Sequence, residues 1–253
     1  GTMNFSNTEG TVSLPSLTLA TGALITGTSA VTIPNLTWTG GGFSGTGALT
    51  IPAGGTVTMS GANFKDLQQR IFTMAGTLTW TGTGNFRTGS AAAIINSGTW
   101  DAQSDLTISN ALFGSNSTFS NSGTFQKTAG TGTTTIGLPF TNSGTVSVQT
   151  GTLYLSGGGG PSSGAFTAVT GAGLLFGGGH SLSGPLSGGT IEFNSGTSTA
   201  SGTFSAAAAI FSGGTTTLSN NYNVTTSTAV NGGAAILTGS LISLGTFTIS
   251  TGT

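Results

Sequence analysis

The sequence contains no cysteine, and only nine of its 253 residues carry a charge, four of them basic and five acidic. Without cysteine the chain can form no disulfide, no thiolate metal site and no thiol nucleophile. Four basic side chains are too few to neutralise the phosphates of a nucleic-acid site, so we expect no nucleic-acid partner. No apolar run approaches the roughly 18 residues of a bilayer-spanning helix, so we expect no membrane insertion.

Small residues dominate what is present, because 46 glycines, 50 threonines and 32 serines make up about half of the chain. A disordered linker of similar glycine content would have few apolar residues. Here hydrophobic residues make up 35% of the chain, and the mean hydropathy is +0.24. Since threonine, valine, isoleucine and phenylalanine all favour strands, the composition indicates an all-β protein with a buried core.

One pattern recurs along the chain: an apolar residue, three spacer residues, a glycine, usually a threonine, and then alternating apolar positions. The glycines of five copies, spaced 21, 22, 25 and 21 residues apart, are Gly55, Gly76, Gly98, Gly123 and Gly144. The segment Leu-Thr-Trp-Thr-Gly at 36–40 also returns at 78–82. A fixed period of this length is typical of repeat architectures, in which each unit packs on its neighbours.

Each repeat holds about three short alternating runs, such as Thr56–Met59 and Thr77–Trp80, separated by turn-forming residues. This predicts a right-handed parallel β-helix (a β-solenoid) of about 21–25 residues per coil and about 11 coils. We expect one continuous solenoid over residues 1–253, regular over about 36–156 and less regular over 157–253, as part of a longer protein. A β-propeller with blades of about 40 residues is the alternative.

Stacked coils place equivalent residues in ladders. Two inward ladders are expected, and the one that follows the repeated glycine would contain Val57, Leu78, Trp100, Phe125 and Val146. We expect asparagines to stack at one corner, and Asp66 to lie opposite Arg87 unless the polar stretch 63–71 leaves the coil as a loop. The other inward ladder, which precedes the repeated glycine, would contain Ile51, Phe72, Ile94, Phe119 and Phe140. The corner asparagines are Asn96, Asn121 and Asn142.

Candidates for catalysis are few. The acids are Glu9, Asp66, Asp101, Asp105 and Glu192. Only Asp101 and Asp105 are close in sequence, and an extended strand would hold them about 13 Å apart. His180 is the single histidine, so a zinc site is not expected. We therefore predict no catalytic residue, no bound metal and no cofactor, and we expect the tryptophans to lie in the core.

Two segments resemble repeats of very large bacterial surface and secreted proteins, akin to autotransporter passengers and filamentous-haemagglutinin-like adhesins. They are residues 141–153, Thr-Asn-Ser-Gly-Thr-Val-Ser-Val-Gln-Thr-Gly-Thr-Leu, and residues 123–136. The resemblance implies extracellular display, a β-helical stalk, and contacts with surface glycans. Copies of the chain could also stack end to end.

The leading functional hypothesis is a non-catalytic structural or adhesive segment, a rigid stalk or fibre element. A polysaccharide-binding or polysaccharide-cleaving β-helix is the first alternative. Ice binding is the second, because regular Thr-X-Thr rungs on a flat face order water. Thr56/Thr58 and Thr77/Thr79 form such rungs, whereas the next one is Thr99/Asp101, so the second column is expected to fail there.

Overall fold

The computed structural model describes residues 1–6 and 10–250, so Glu9 lies outside the described residues, as do the last three. Every regular element of the described chain is a β-strand, and parallel strands stack as a β-solenoid of about 12 turns. The predicted all-β solenoid is confirmed with one turn more than expected, and its right-handed sense stays a prediction. The chain divides into two compact units, Gly1–Gln126 and Lys127–Thr253. A single continuous solenoid likewise stays a prediction.

The first unit consists of short strands of two to four residues. They are β1 (Thr2–Asn4), β2 (Val12–Ser13), β3 (Ser16–Leu19), β4 (Leu24–Thr26), β5 (Val31–Thr32), β6 (Asn35–Trp38), β7 (Gly41–Phe43), β8 (Leu49–Ile51), β9 (Thr56–Met59), β10 (Lys65–Gln68), β11 (Ile71–Met74), β12 (Thr77–Trp80), β13 (Phe86–Gly89), β14 (Ala93–Asn96), β15 (Thr99–Ala102), β16 (Thr107–Ser109), β17 (Thr118–Asn121) and β18 (Thr124–Lys127), within which the unit ends.

These strands repeat in threes, and each pairs in parallel with the strand three places later, which gives the first unit three faces. The first face contains β1, β4, β7, β10, β13 and β16, the second β2, β5, β8, β11, β14 and β17, and the third β3, β6, β9, β12, β15 and β18. On the third face Thr56 lies opposite Thr77, and Thr77 opposite Thr99, which are 21 and 22 residues apart. The predicted coil length therefore holds here.

The second unit mixes short strands with four long ones, β24, β26, β28 and β30. Its strands are β19 (Thr133–Ile136), β20 (Phe140–Asn142), β21 (Thr145–Val148), β22 (Thr152–Leu155), β23 (Gly159–Ser162), β24 (Ala165–Phe176), β25 (His180–Leu182), β26 (Leu186–Phe193), β27 (Thr197–Ala200), β28 (Phe204–Phe211), β29 (Thr215–Leu218), β30 (Tyr222–Val230), β31 (Ala234–Leu237), β32 (Leu241–Ser243) and β33 (Thr246–Ile249).

The long strands shorten the coil. β24 pairs with β21 through its first half and with β22 through its second, so one strand replaces two strands and the turn between them. Leu186 lies opposite Phe204, and Phe204 opposite Tyr222, at intervals of 18 residues. The predicted coil of 21–25 residues is therefore wrong for this part of the chain.

Side chains that point inward form continuous ladders in the first unit. On the second face one ladder contains Val12, Val31, Leu49, Phe72, Ile94 and Phe119. Ile51 was predicted in this ladder but lies opposite Met74, so that assignment is wrong. The corner after β8 takes two more residues than the next corners do, and a shift of two keeps Ile51 facing inward. Phe140 is buried in the second unit.

Asparagines occupy the inward ladder that begins with Ile51 and Met74. Asn96 lies opposite Asn121 at the ends of β14 and β17, and its Nδ2 donates to Asn121 Oδ1 at 2.7 Å. The same Nδ2 lies 3.0 Å from the carbonyl oxygen of Thr124 beyond the bend. In the second unit Asn142 donates to the Ala165 carbonyl and accepts from the Gly144 amide. Asn96 and Asn121 therefore stack at one corner, as predicted, and all three amides bind backbone groups or each other at bends.

The polar stretch 63–71 does not leave the coil as a loop, which was the alternative to the Asp66–Arg87 register. It contains β10, which stays in the first face. Its Lys65 points inward and donates to the carbonyls of Gly61 and Asn63. Arg70 is also buried, and its guanidinium donates to the carbonyls of Gly27, Ser44 and Ala48. Burial lowers the pKa of both side chains. These carbonyls provide the partners that a buried cation needs, so the segment can remain in the wall.

Candidate functional site

A hollow of about 420 Å³ lies on the first face of the first unit. We call it the β7–β10 groove. Its central outward column runs from Leu24 in β4 through Gly42 and Asp66 to Arg87 and Ser109. Gly42 has no side chain between Leu24 and Asp66, so the column is interrupted at that rung. The hollow therefore lies where glycine replaces an outward side chain.

The floor of the groove requires glycine at two successive positions. Gly41 has φ of +73°, and a β-carbon there would lie 2.3 Å from the Ala23 carbonyl oxygen. A β-carbon on Gly42 would lie 2.9 Å from that of Asp66. Any larger residue would strain the backbone or displace the neighbouring strand. The Gly-Gly pair therefore combines the backbone that this strand adopts with the close approach of Asp66 to Gly42.

An ion pair forms one wall of the groove. Arg87 Nε donates to Asp66 Oδ1 at 2.8 Å and its Nη2 donates to Oδ2 at 2.7 Å, which is a bidentate arrangement. The hydrogen bond that Arg87 donates to Asp66 raises the pKa of Arg87. The guanidinium carbon lies 4.1 Å from the centre of the Phe64 ring. Asp66 and Arg87 thus occupy adjacent coils in the predicted register, and the pair holds a charged, planar surface beside an aromatic ring.

Several polar groups of the groove have unused hydrogen-bonding capacity. Within the described part of the chain, no hydrogen-bond partner contacts Arg87 Nη1, the Asn63 amide or the Thr21 hydroxyl. Gln68 uses its Nε2 on the Ser90 hydroxyl, which leaves its carbonyl oxygen without a partner there. Donors and acceptors of this kind, together with a half-exposed phenyl ring, can bind a ligand rich in hydroxyl groups.

The residues considered for catalysis are scattered. Asp101 is buried in β15 and accepts a hydrogen bond from Gln103 at 2.8 Å, whereas Asp105 is exposed between β15 and β16. Glu192 accepts a short hydrogen bond from Ser212 in the second unit. Among residues 1–6 and 10–250 no three histidine or acidic side chains group together as metal ligands.

His180 lies in the core of the second unit. Its Nε2 is 3.1 Å from the Leu155 carbonyl oxygen, and its ring packs edge-on against Phe176. Desolvation by burial lowers the pKa of the imidazole, and the hydrogen bond to the Leu155 carbonyl opposes this shift. At neutral pH the ring is therefore an uncharged core side chain.

The tryptophans are buried, as predicted. Trp38, Trp80 and Trp100 are all 0% exposed and pack edge-on or stacked against core phenylalanines. They therefore form no sugar-stacking platform on the surface. The exposed aromatic ring of the groove is Phe64, which belongs to none of the recurring motifs of the sequence. Its signal was the run Gly40–Gly42, one coil before Phe64 and Asp66.

The second unit carries exposed apolar side chains on its last strands, among them Leu241, Phe247 and Ile249. Phe247 and Ile249 line a hollow of about 330 Å³ together with Phe211 and Tyr222. End-to-end stacking of copies stays a prediction. In the described residues, no helix has the length and apolar character needed to cross a bilayer.

No protein family, curated protein or solved structure matches this chain. The resemblance to bacterial surface repeats therefore rests on the residues of the repeats alone.

Proposed function

We propose that this chain is a non-catalytic structural and adhesive segment of a bacterial extracellular or surface protein, a rigid β-solenoid that binds carbohydrate in the β7–β10 groove. The scaffold part of the proposal is supported by the hydrogen bonding between coils, which pairs short strands that would be unstable alone. The surface location is supported by the resemblance of the repeats to those of bacterial surface proteins.

The groove is the observation that carries the adhesive part. A sugar ring presents C–H groups on one face and hydroxyls around its edge. The half-exposed ring of Phe64 suits the face, because it is an aromatic surface that costs little conformational entropy to present. The Asp66 carboxylate, the free nitrogen of Arg87 and the Asn63 amide suit the hydroxyls, because they supply acceptors and donors side by side.

The ion pair prepares the groove for such a ligand. Asp66 and Arg87 fix each other through two hydrogen bonds, so neither side chain has to be ordered on binding. The carboxylate oxygens keep lone pairs beyond those that Arg87 occupies. A neutral or weakly charged oligosaccharide therefore suits the groove better than a strongly anionic ligand, which would have to displace Asp66 from Arg87.

The test is a glycan array followed by calorimetry on the glycan that binds best. Phe64→Ala should weaken binding about tenfold, or about 1.4 kcal/mol, because it removes the stacking surface. Phe113→Ala is the matched control, since Phe113 is a phenylalanine of the same unit that is 93% exposed and lies outside the groove. Equal affinities for both variants and the unaltered chain would place any binding elsewhere, and no binding to any glycan would refute the adhesive role.

A further inference from the structure

The third face of the first unit presents two parallel columns of small polar residues to solvent. In β3, β6, β9 and β12 the first and third residues point outward, and they align without any shift in register. One column contains Ser16, Asn35, Thr56 and Thr77, and the other contains Thr18, Thr37, Thr58 and Thr79. We call this array the threonine face. Six of its eight positions are threonine.

The structure adds two rungs on the N-terminal side of the two that the sequence pattern indicated. Thr56/Thr58 and Thr77/Thr79 are the third and fourth rungs, and two rungs precede them. The fifth rung, Thr99/Asp101, ends the array as expected, because Asp101 is buried and bonded to Gln103. Four successive coils therefore carry the outward pattern of small hydroxyl or amide residues.

The inward side of the same strands holds the threonine face in place. Leu19, Trp38, Met59 and Trp80 lie between or beside the outward residues, and each is at most 1% exposed. Trp38 also packs edge-on against Phe43 at a centroid distance of 5.0 Å. A bulky, close-packed interior leaves the strands little freedom to move. The outward residues therefore keep fixed spacings.

The hydroxyls of one column are available to solvent. Among the described residues, none forms a hydrogen bond with the hydroxyl of Thr18, Thr37, Thr58 or Thr79. In the other column Thr56 donates to the Asn35 side chain at 3.1 Å, which fixes two neighbouring rungs relative to each other. Thr18, Thr37 and Thr58 are exposed. Water must supply the partners of these hydroxyls.

The spacing of the hydroxyls is regular in two directions. Neighbouring strands lie about 4.8 Å apart, and residues i and i+2 of one strand lie about 6.6 Å apart. β-branched threonine has a restricted χ1, so its methyl and hydroxyl groups have few orientations open to them at each rung. Ice presents rows of water oxygens with similar repeats in two directions. A rigid array of this kind can hold water in an ice-like arrangement without having to be ordered first.

We propose that the threonine face binds the surface of ice through a layer of water that its hydroxyl and methyl groups hold in ice-like order. The face carries no charged residue in its four rungs, so no ion hydration shell competes with that order. The β7–β10 groove lies on the first face, so this activity is independent of carbohydrate binding there.

A second threonine column supplies a matched control. Thr32, Thr50 and Thr73 align outward on the second face of the same unit, but the next residue of that column is Ile95. These threonines are partly buried, and no second column of free hydroxyls lies beside them in the described part of the unit. A bulky substitution at Thr50 therefore tests whether any threonine column suffices.

The experiment measures the gap between the melting and freezing temperatures of a single ice crystal in a solution of the full chain, and the fraction of protein that adsorbs to ice. The unaltered chain should show a gap and should adsorb. Thr58→Tyr should abolish both effects, because a tyrosine side chain would stand between the ice and two neighbouring rungs. Thr50→Tyr should retain both.

Circular dichroism establishes that each variant remains folded, and Thr37→Tyr serves as a second test on the same face if Thr58→Tyr does not fold. The proposal is overturned if the unaltered chain shows neither a gap nor adsorption. It is also overturned if the folded threonine-face variants match the unaltered chain. Glycan binding should be the same in all of these variants, since none of them alters the groove.

Discussion

Phe119 offers the sharpest test of the core, because it is the last residue of an inward ladder in the first unit. It is 0% exposed, lies opposite Ile94, and its ring centre is 5.1 Å from that of Trp100 and 5.8 Å from that of Phe125. Burial of a phenylalanine stabilises a fold by about 1.5–3 kcal/mol. Each aromatic pair adds about 0.5–1.5 kcal/mol. Phe119→Ala, which also leaves a cavity, should therefore lower the free energy of unfolding by about 3–5 kcal/mol.

Urea unfolding followed by tryptophan fluorescence is the appropriate assay. All three tryptophans lie in the first unit, so the signal reports the unit that contains Phe119. Phe113→Ala is the control, because that side chain is 93% exposed, and it should change stability by less than about 0.5 kcal/mol. If Phe119→Ala shifts the free energy of unfolding by no more than the control, the ladder register described here is incorrect.

Three further predictions concern buried polar groups. In urea, Trp38→Phe should destabilise the first unit by about 1 kcal/mol more than Trp80→Phe. The indole N–H of Trp38 donates to the Gly41 carbonyl, whereas the indole N–H of Trp80 is unpaired, so equal losses of stability would contradict this. Arg70→Met should lower the free energy of unfolding by about 1–3 kcal/mol, and Arg70→Lys by at least as much. The reason is that the three carbonyls bind three different nitrogens of the guanidinium, whose positions a single ammonium nitrogen does not match; a neutral Arg70→Lys in the same urea assay would contradict this. Burial lowers the pKa of His180, so as pH falls the histidine of the unfolded chain takes up a proton before that of the folded chain, and stability should fall as pH drops below about 6.5, the ordinary pKa. Thermal melts of His180→Leu at several pH values should lack this part of the pH dependence, and an unchanged profile would contradict it.

The sequence predicted the coil because its glycines recur at nearly constant intervals, and register after each glycine is then fixed by counting. Asp66 and Arg87 follow equivalent glycines by the same number of residues, and they do pair. Ile51 precedes its glycine, on the far side of a corner whose length changes, so counting back from the glycine misplaced it by two residues. Register can be read along a strand but not across a corner of unknown length.

Two features could not be read from sequence patterns. The segment around Arg70 carries a buried basic side chain, and only carbonyls from other coils, among them those of Gly27 and Ser44, explain how it stays in the wall. The coil of the second unit shortens because long strands such as β24 continue around a bend that the first unit makes with separate strands. In both cases the deciding contacts join residues from different coils, which a local pattern does not contain.

The candidate site illustrates the same limit. Sequence identified its two charged residues but placed no aromatic ring beside them, because Phe64 belongs to none of the recurring motifs. The groove itself depends on Gly42, whose missing side chain matters only once Leu24 and Asp66 are known to flank it. A hollow on a solenoid thus results from residues a coil apart.

The central claim, a scaffold that binds carbohydrate without cleaving it, is tested most directly by one measurement on the glycan that binds best. The full chain is incubated with that glycan while bound glycan, new reducing ends and unsaturated products are quantified together. We predict saturable binding that weakens in Phe64→Ala and no cleavage product at any protein concentration. Cleavage products that increase with protein concentration, or the absence of any bound glycan, would contradict the account.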